Sequence, residues 1–572
     1  MNEYEILRTI EFLEQTREPF RGLMPMADDE PVWNITMFLM KSEIRGQLVT
    51  VSMLAQVTGV PYATSMRLIG RMVDGGMIVR VPQGKAGKRH SLHPSPAMRD
   101  AFEAYAGGVK TLLARTIGQR GFAEDETQYY FGGTPLAAQP GVPPKLVERR
   151  ARADLDIRFL LHDDNYFASM RNMWVDLRSN LASSRDFRLL RLPDLYAELL
   201  ANGGRAQSSY DVVTLNMPWL GELTERGFLR PLGDLVAADV LTLSSFHPVV
   251  RSTAEWRGDV YGIPVYCTIA ILAARSDLFE ERNLPFPRTF DEVIESGRRF
   301  HQPGQGRYGV VWDGAPGMPI ASSFLFFLGA CGSPPFSLRS VAQSFTAEGV
   351  DLAALTSLVD SDAGREALDF MRRLLEISPP EALNLAWDQN LSLFLSGRAA
   401  MAYCWTMRAA RMEYDIHSVV KRKVKYLPQP AGPGGGQASP VGGFLFAVPS
   451  NLPPDRLEIA AEAIAWMTSR DQMRAHVRNG FPIAPRFSTS ADPEAAAGSP
   501  IVRFVDGLAQ RNLLTTWQRP NIPGYTQIEQ AIGREIHLAL TGAKPPAAAL
   551  ADASRAADAI LRRGIDAGAG AA

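Results

Sequence analysis

Residues Thr50–Ile69 have the sequence TVSMLAQVTGVPYATSMRLI, which decides how the first part of the chain folds. The apolar spacing in its two halves predicts two short amphipathic helices. Thr50 or Ser52 can cap the first helix. Gly59 allows a tight turn, and Pro61 suits the start of the second helix. Two helices joined by such a turn are typical of a helix-turn-helix, a motif that reads DNA.

The second helix of this pair is predicted to leave a polar face for DNA. Hydroxyl groups, one aromatic ring and arginines are suited to base edges and phosphates. Two short strands follow at Ile78–Val81 and Ser91–His93, and the glycine- and lysine-rich stretch between them predicts a basic wing. The residues predicted to contact DNA are Tyr62, Ala63, Thr64, Ser65, Arg67 and Arg71 on the helix, and Lys85, Lys88 and Arg89 in the wing.

The charge is unevenly distributed, although the net charge of the chain is only −1. Residues 1–40 carry eight acidic and three basic side chains, a net of −5, whereas residues 41–120 carry twelve basic and four acidic ones, a net of +8. Such a local excess is typical of a surface that meets phosphates. The alternative is a solvated basic face.

Residues 32–118 resemble the winged-helix domain of MarR-type regulators in the helix pair, the glycine-ending recognition helix, the basic wing and a long helix at Arg99–Ile117. The resemblance implies a homodimer on double-stranded operator DNA. We therefore predict an acidic arm at 1–31 and a winged helix-turn-helix domain at 32–120. A winged helix that contacts only proteins is the alternative.

A linker and a second domain follow. Glycine and proline are frequent in 121–152, which is typical of a linker. From 153 to 572, strand-like and helix-like segments alternate, and this alternation indicates an α/β domain.

Ten motifs in 153–565 resemble family 1 extracellular solute-binding proteins, in the order that this family shows. They are Asp211–Trp219, Gly227–Asp234, Trp256–Pro264, Arg275–Phe279, Pro287–Glu292, Phe394–Met401, Gly442–Val448, Trp466–Ser469, Gly480–Ile483 and Asn521–Pro523. The resemblance implies a periplasmic-binding-protein type II fold, with two α/β lobes that close on a ligand. Crossovers between the lobes are expected near 264–270, 430–440 and 480–486. The predicted fold class is thus a small α+β winged helix followed by this two-lobed α/β fold.

This family mostly binds sugars, and aromatic platforms combined with polar groups are suited to sugar rings and hydroxyls. Such residue types follow several predicted strands. The residues predicted to bind ligand are Asp164, Asn165, Tyr166, Asn216, Trp219, Tyr266, Trp312, Asp313, Trp405, Gly442, Gly443 and Phe444. Each has an alternative structural role: Trp219 is as well suited to helix packing, and Asp164 to capping a helix.

The sequence shows no pattern typical of a catalytic site, a metal site or a membrane-spanning segment. The eight histidines are scattered, no Gly-x-Ser-x-Gly motif occurs, and the glycines at 434–436 lack the Lys-Ser/Thr of a P-loop, so no enzyme activity or cofactor is expected. The three cysteines are widely spaced. They suit a reducing compartment. The first residues lack a secretory pattern, and no apolar run is long enough to span a bilayer. A cytoplasmic protein is therefore expected.

A DNA-binding domain joined to a sugar-binding domain predicts a ligand-responsive transcriptional regulator. Its partners would be operator DNA, a second copy of the chain, and a sugar or other small polar effector. The alternative is a cytosolic sensor that docks onto a protein partner, or a solute receptor of the ABC-transporter type, without sequence-specific DNA binding.

Overall fold

The computed structural model divides the chain into two compact units. One comprises Met1–Phe131 and Arg411–Lys421, and the other comprises Gly132–Ala410 and Arg422–Ala572. The residues described are 10, 30–44, 47–83, 89–102, 105–106, 157–163, 188–238, 240–341, 344–415, 417–470, 472–473 and 500–569. No helix within these ranges is long and apolar enough to cross a bilayer.

Among the described residues of the N-terminal unit, a helical segment lies at 96–102. Three further helices and a β-hairpin precede it. These elements are α1 (Glu30–Ile44), α2 (Val51–Val57), α3 (Tyr62–Asp74), β1 (Ile78–Gln83) and β2 (Arg89–Pro94). The Thr50 hydroxyl accepts a hydrogen bond from the Met53 N–H at 3.3 Å and so caps α2. Gly59 adopts φ +75° between α2 and α3. This is a left-handed conformation that favours glycine. The helix pair and the hairpin therefore lie where the sequence predicts them.

Ser65 is predicted to lie on the exposed face of α3, but the structure buries it. Its side chain is fully buried, and its hydroxyl lies 2.6 Å from that of Thr58. The Ser65 hydroxyl also donates to the Val60 carbonyl oxygen at 3.1 Å. A polar group inside a protein needs such partners, and here they fix the turn between the helices. Ser65 therefore cannot contact DNA in this fold.

The other predicted DNA contacts divide into two groups. Tyr62, Ala63, Thr64, Arg67 and Arg71 are exposed on α3, as the sequence predicts. Lys85 and Lys88 lie outside the described residues, as does the side chain of Arg89, and so do most of the predicted long helix and the predicted linker.

A polar network connects α1 of this unit to β2. The Glu43 carboxylate contacts His93 Nδ1 at 2.9 Å and Arg99 Nη2 at 2.7 Å. Burial alone would raise the pKa of Glu43, but the interactions with His93 and Arg99 outweigh it and lower this pKa.

The second unit is an α/β assembly. Its strands are β3 (Phe159–His162), β4 (Arg188–Leu190), β5 (Val212–Asn216), β6 (Glu255–Trp256), β7 (Asp259–Val260), β8 (Ile263–Arg275), β9 (Tyr308–Val311), β10 (Arg339–Val341), β11 (Ser344–Thr346), β12 (Ala399–Trp405), β13 (Val424–Leu427), β14 (Ser439–Ala447) and β15 (Leu514–Thr515). Its helices are α4 (Leu192–Gly203), α5 (Leu220–Glu225), α6 (Gly233–Ala237), α7 (Pro248–Arg251), α8 (Ser276–Glu281), α9 (Phe290–Phe300), α10 (Met318–Ala330), α11 (Asp362–Leu375), α12 (Trp387–Leu395), α13 (Ala409–Tyr414), α14 (Leu457–Met467), α15 (Pro500–Gln510), α16 (Tyr525–Leu540) and α17 (Pro546–Ala569). Only the first two residues of α13 belong to this unit; the rest belong to the N-terminal unit.

One long strand, β8, connects the two halves of the main sheet, whose order is β4-β3-β5-β14-β8-β12-β9. All thirteen residues of β8 are buried. Up to Ile269 its residues pair with β14, and from Ala270 onward they pair with β12. This change of partner falls within the crossover predicted near 264–270. The one predicted at 430–440 lies between β13 and β14, and the one at 480–486 lies outside the described residues.

A buried charge cluster anchors one end of this sheet. Asp211, immediately before β5, has no solvent exposure. Its carboxylate accepts hydrogen bonds from the Arg158 N–H at 2.7 Å and from Arg456 Nη2 at 2.7 Å, and it contacts Arg158 Nη2 at 2.8 Å. It therefore joins the segment before β3 to the start of α14.

Candidate ligand-binding site

Several predicted ligand residues lie at carboxyl ends of parallel strands. The strands β3 and β5 are parallel neighbours, and so are β9 and β12. Asn216 ends β5, Asp313 follows β9 by two residues, and Trp405 ends β12. Ligands of open α/β sheets bind beyond the carboxyl ends of the strands. The fold therefore gathers these residues at the edge where a small molecule would bind.

An aromatic stack lies in the half of the site that β3, β5 and β14 form. Phe444 on β14 is in register with Asn216 on one side and with Tyr266 on the other. The Phe444 ring stacks on Tyr266, with centroids 5.8 Å apart, and on His162, with centroids 4.7 Å apart. Because Tyr266 and Phe444 are buried, they support this half of the site rather than line open space.

Asp313 provides a carboxylate in the other half of the site, which β9 and β12 form. Its Oδ1 accepts hydrogen bonds from the Trp387 N–H at 2.7 Å and from Asn390 Nδ2 at 2.9 Å. Its Oδ2 has no partner among the described residues. Burial raises the pKa of Asp313, although the hydrogen bond from Asn390 and the charge of Arg408 act to lower it. One carboxylate oxygen is thus fixed by the protein, and the other is available to a ligand.

Trp405, Gly442 and Arg519 join the two halves. A β-carbon on Gly442 would lie 2.9 Å from the Trp405 ring and 3.8 Å from Arg519 Nη1. Arg519 Nε donates to the Tyr525 hydroxyl and to Glu529, both at 3.1 Å, which leaves Nη1 without a hydrogen bond among the described residues. The Trp405 ring therefore packs against the backbone of Gly442, with Arg519 Nη1 close by.

Hydrogen bonds hold this junction together. The Tyr266 hydroxyl donates to Met407 Sδ at 2.8 Å, and the Met407 N–H donates to the Thr268 hydroxyl at 3.2 Å. Arg408 forms an ion pair with Asp388. Its buried Nε has no hydrogen-bond partner among the described residues. We call the whole arrangement the crossover site; it comprises His162, Asn216, Tyr266, Asp313, Trp405, Met407, Arg408, Gly442, Phe444 and Arg519.

A cavity of about 420 Å³ adjoins the crossover site. Arg519 lines the cavity, and so does Val441, the neighbour of Gly442. Further lining residues include Met217, Pro218, Thr253, Trp256, Leu338, Phe345, Thr516, Trp517 and Asn521. The rings of Phe345 and Trp517 meet edge-to-face with centroids 5.0 Å apart. Elements far apart in sequence thus line one cavity next to the strand ends.

Three predicted ligand residues have structural roles. Trp219 is 2% exposed and packs edge-to-face on Tyr196. Trp312 is fully buried, and its Nε1 donates to the Ser378 hydroxyl at 3.0 Å. A β-carbon on Gly443 would lie 2.2 Å from the backbone oxygen of Tyr266. The side chains of Trp219 and Trp312 serve packing, so the ligand contacts predicted for them are wrong for this conformation. The contact predicted for Gly443 stays a prediction.

Asp164, Asn165 and Tyr166 lie outside the described residues, so the ligand contacts predicted for them stay predictions. None of the twelve predicted ligand residues lines the adjoining cavity, although Asn216, Trp219 and Gly442 are direct neighbours of residues that do.

Sequence reasoning missed His162, Met407, Arg408 and Arg519 of the crossover site, and Trp517 of the adjoining cavity. His162 ends β3, so its place after a strand was a usable signal. Trp517 and Arg519 form an aromatic and cationic pair before a proline, which resembles the residue types sought elsewhere. Only the fold brings Arg519 beside Gly442. Among the described residues no group of histidine, cysteine, aspartate or glutamate side chains could hold a metal ion.

Comparison with known proteins assigns the domain that carries this site. Residues 194–474 match the family of bacterial extracellular solute-binding proteins. This segment is a solute-binding domain. The mannitol-binding protein of Pseudomonas aeruginosa is 25% identical over 408 residues, which are 68% of this chain and 86% of that protein. A probable amino-acid ABC transporter periplasmic-binding protein of Sinorhizobium fredii is 22% identical over 418 residues, 71% of this chain and 89% of that protein.

Solved structures share the fold of the solute-binding domain. A solute-binding protein of Agrobacterium radiobacter in complex with ribitol has a TM-score of 0.62 and 24% identity, and the match covers 71% of this chain and 98% of that one. A maltose-bound protein of T. maritima has a TM-score of 0.61 and 23% identity, and the match covers 71% and 100%. The predicted two-lobed periplasmic-binding-protein fold is therefore confirmed. The winged helix remains a prediction.

The predicted cytoplasmic location is wrong. The matched family consists of extracellular solute-binding proteins, and the Sinorhizobium relative of the solute-binding domain is a periplasmic-binding protein. These relatives indicate a location outside the cytoplasm. The prediction failed because it rested on the first residues and on the cysteines, which carry less information than the family of the domain.

Proposed function

We propose that the chain is a solute receptor of the ABC-transporter type and that it binds a polyol or neutral sugar at the crossover site. One observation carries the proposal: Trp405, the unengaged Oδ2 of Asp313 and the unengaged Nη1 of Arg519 gather at the carboxyl ends of the strands. A relative named a mannitol-binding protein and two solved structures, one in complex with ribitol and one maltose-bound, support this ligand class.

The chemistry of these groups fits a polyhydroxylated solute. Ligand hydroxyls can donate to Asp313 and accept from Arg519, while the C–H face of the ligand packs on Trp405. Both arginines of the crossover site are already paired, Arg408 with Asp388 and Arg519 with Glu529. Asp313 has no cationic partner within ion-pair distance among the described residues. The charge balance therefore favours a neutral solute over an anionic one.

Calorimetric titration of the full chain tests this proposal. We expect D-mannitol, ribitol or maltose to bind with a dissociation constant of roughly 1 μM to 1 mM, which corresponds to about −8 to −4 kcal/mol. An amino-acid panel is the necessary comparison because of the Sinorhizobium relative. Binding of an amino acid, with none of the polyols or sugars, would exclude the proposed ligand class.

The Asp313→Asn variant tests ligand binding while keeping the hydrogen bonds that residue 313 makes within the protein. The asparagine keeps an oxygen that can accept from Trp387 and Asn390 but replaces Oδ2 by an amide. We expect affinity for the bound polyol or sugar to fall about tenfold or more, because hydrogen bonds to charged groups contribute roughly 1.5–3 kcal/mol. Asp362→Asn is the matched control, since the Asp362 side chain is 99% exposed. Equal affinity of the two variants would remove Asp313 from the site.

We propose a second candidate function, DNA binding, for the N-terminal unit. The supporting observation is the exposed face of α3, which presents Tyr62, Thr64, Arg67 and Arg71 beside the β1–β2 hairpin. Ligand-linked regulation would need both activities in one chain, and it would also need the N-terminal unit to meet DNA, unlike the extracellular relatives of the solute-binding domain. A docking surface for a protein is the competing function of this face.

Fluorescence anisotropy of a labelled duplex at two salt concentrations tests DNA binding. We expect affinity to fall steeply with salt, and the double variant Arg67→Ala, Arg71→Ala to flatten this dependence, because each lost phosphate contact reduces the salt slope by about one. The variant Arg365→Ala is the control, since this arginine is exposed in the other unit. Failure to retain the duplex at low salt would exclude DNA binding.

A further inference from the structure

We propose that the chain is a sensor as well as a receptor: the N-terminal unit responds to the bound solute, and residues 411–421 transmit the signal to it. We call these residues the transmitter segment. The inference rests on the proposed function, because it requires a solute at the crossover site. It goes beyond that function by giving the N-terminal unit an output role, whether α3 contacts DNA or a protein.

The transmitter segment belongs to one unit and continues directly from the other. The N-terminal unit comprises Met1–Phe131 together with Arg411–Lys421, so the chain passes between the units three times. A single passage through a linker would leave two domains free to move independently. Here the chain leaves the second unit again within α13, after Ala410. A displacement of the start of α13 is therefore passed along a helix into the N-terminal unit.

The residues just before α13 are part of the crossover site. Trp405 and Arg408 lie within four residues of Ala409, where α13 begins. Arg408 forms an ion pair with Asp388 in the first turn of α12. The same turn donates a backbone N–H to Asp313 at 2.7 Å. A solute that contacts Trp405 and Asp313 is therefore connected to the start of α13 through the backbone and through Arg408.

Hydrogen bonds tie the same stretch to the point where β8 changes partner. The Ile269 N–H donates to the Thr406 hydroxyl at 2.8 Å, and the Met407 N–H donates to the Thr268 hydroxyl at 3.2 Å. Ile269 still pairs with β14, whereas Ala270 already pairs with β12. Closure of two lobes turns about such crossovers. A solute-linked closure would therefore displace the residues from which α13 begins.

Buried side chains anchor the transmitter segment. Met412 and Val420 have no solvent exposure, whereas Val419 is 50% exposed. The Ser418 hydroxyl donates to the Met412 carbonyl oxygen at 3.1 Å, which closes the segment on itself. Close-packed interiors transmit a displacement to their neighbours. A displaced α13 therefore moves packed side chains of the N-terminal unit.

Ion pairs continue from the transmitter segment toward the β1–β2 hairpin. His417 Nδ1 lies 3.7 Å from Asp100 Oδ1, in the helical segment that follows β2. The preceding residue, Arg99, pairs with Glu43 at 2.7 Å, and Glu43 contacts His93 on β2 at 2.9 Å. An exposed pair such as His417–Asp100 contributes little free energy by itself. It shows where the segment meets the helix that leads to the hairpin.

Hydrogen exchange of the full chain, measured by mass spectrometry with and without saturating solute, tests the inference. The probes are D-mannitol, ribitol and maltose, added singly. We expect a probe that binds to slow exchange at least threefold in the transmitter segment and in the helical segment after β2, because ligand coupling acts on both sites. Slowing confined to the second unit would overturn the inference and leave the proposed function intact. Absence of binding by all three probes would overturn both.

Two matched variants test the route. Val420→Ala trims a fully buried side chain of the transmitter segment, and Val419→Ala makes the same change at its exposed neighbour. Val420→Ala should reduce the solute-induced slowing after β2 at least twofold and leave the slowing at β14 unchanged. Val419→Ala should behave as the wild type. Equal slowing after β2 in the two variants would overturn the role of the transmitter segment.

An insertion gives a second, independent test that trims no side chain. Two glycines inserted after Ala410 interrupt α13, because glycine is a poor helix former. The inserted chain should still bind the probe, while the slowing after β2 should be lost. Slowing there that survives the insertion, in a protein with an unchanged Tm, would overturn the inference.

Discussion

The Asp211→Asn variant is expected to lose about 3–5 kcal/mol of unfolding free energy, the loss that follows when one partner of a buried ion pair is removed. Asp211 is fully buried between Arg158 and Arg456, both of which donate to its carboxylate. The asparagine leaves two guanidinium groups without their counter-charge. Urea unfolding followed by circular dichroism measures the effect. Asp362→Asn removes an exposed carboxylate and should change stability by less than about 0.5 kcal/mol.

The same residue gives a pH dependence with a defined sign. Burial would raise the pKa of Asp211, but Arg456 and Arg158 outweigh it, so the folded-state pKa lies below its ordinary value of 3.8. A carboxylate with a lowered pKa stabilises the fold above the unfolded pKa, and the contribution disappears as the pH falls through the folded pKa. The difference between wild type and Asp211→Asn should therefore be constant near neutrality and shrink below pH 3.8. A difference that grows in acid would contradict this assignment.

The Gly443→Ala variant should disrupt the centre of the sheet. Gly443 adopts φ +139°, and an added β-carbon would lie 2.2 Å from the Tyr266 carbonyl oxygen and 2.8 Å from the Cys267 α-carbon. Both are backbone atoms of β8, so no side-chain rotation relieves the clash. We expect a loss of about 3 kcal/mol or more, because backbone strain and overpacking act together. Thermal unfolding measures the loss.

Gly436→Ala is the matched control for Gly443→Ala. Gly436 lies in the loop before β14, and an added β-carbon there would meet nothing within 4 Å. The Tm of this variant should stay within a few degrees of the wild-type value. An unchanged Tm for Gly443→Ala would contradict this expectation, because it would mean that β8 and β14 move apart easily enough to admit the added methyl group.

Local sequence signals predicted the elements of the N-terminal unit well. The cap at Thr50 and the turn at Gly59 are short-range features, so their sequence carries the necessary information. Ser65 was misjudged because a hydroxyl is ordinarily an exposed group. Its burial depends on the Thr58 hydroxyl, which approaches only once the two helices have packed.

The crossover site was predictable only in part. Asp313 follows the buried strand β9 and Trp405 ends β12, and these positions placed both residues at the carboxyl ends of the strands. Trp312 was misjudged because β9 is buried throughout, so its pattern did not show which residue after the strand turns inward. Arg519 reaches the crossover site from about a hundred residues further along the chain than Trp405. No local pattern encodes that approach.

The strand order also sets when the protein can fold during synthesis. Strand β14 lies between β5 and β8, yet Ser439–Ala447 follow β5 by more than two hundred residues. The first half of the sheet therefore lacks its central strand until the ribosome has made most of the second half. Pairing over such separations is slow, and β5 and β8 present open edges in the meantime. A nascent chain stopped before residue 439 should thus be prone to aggregation or bind chaperones, whereas release of the full chain should complete both halves together.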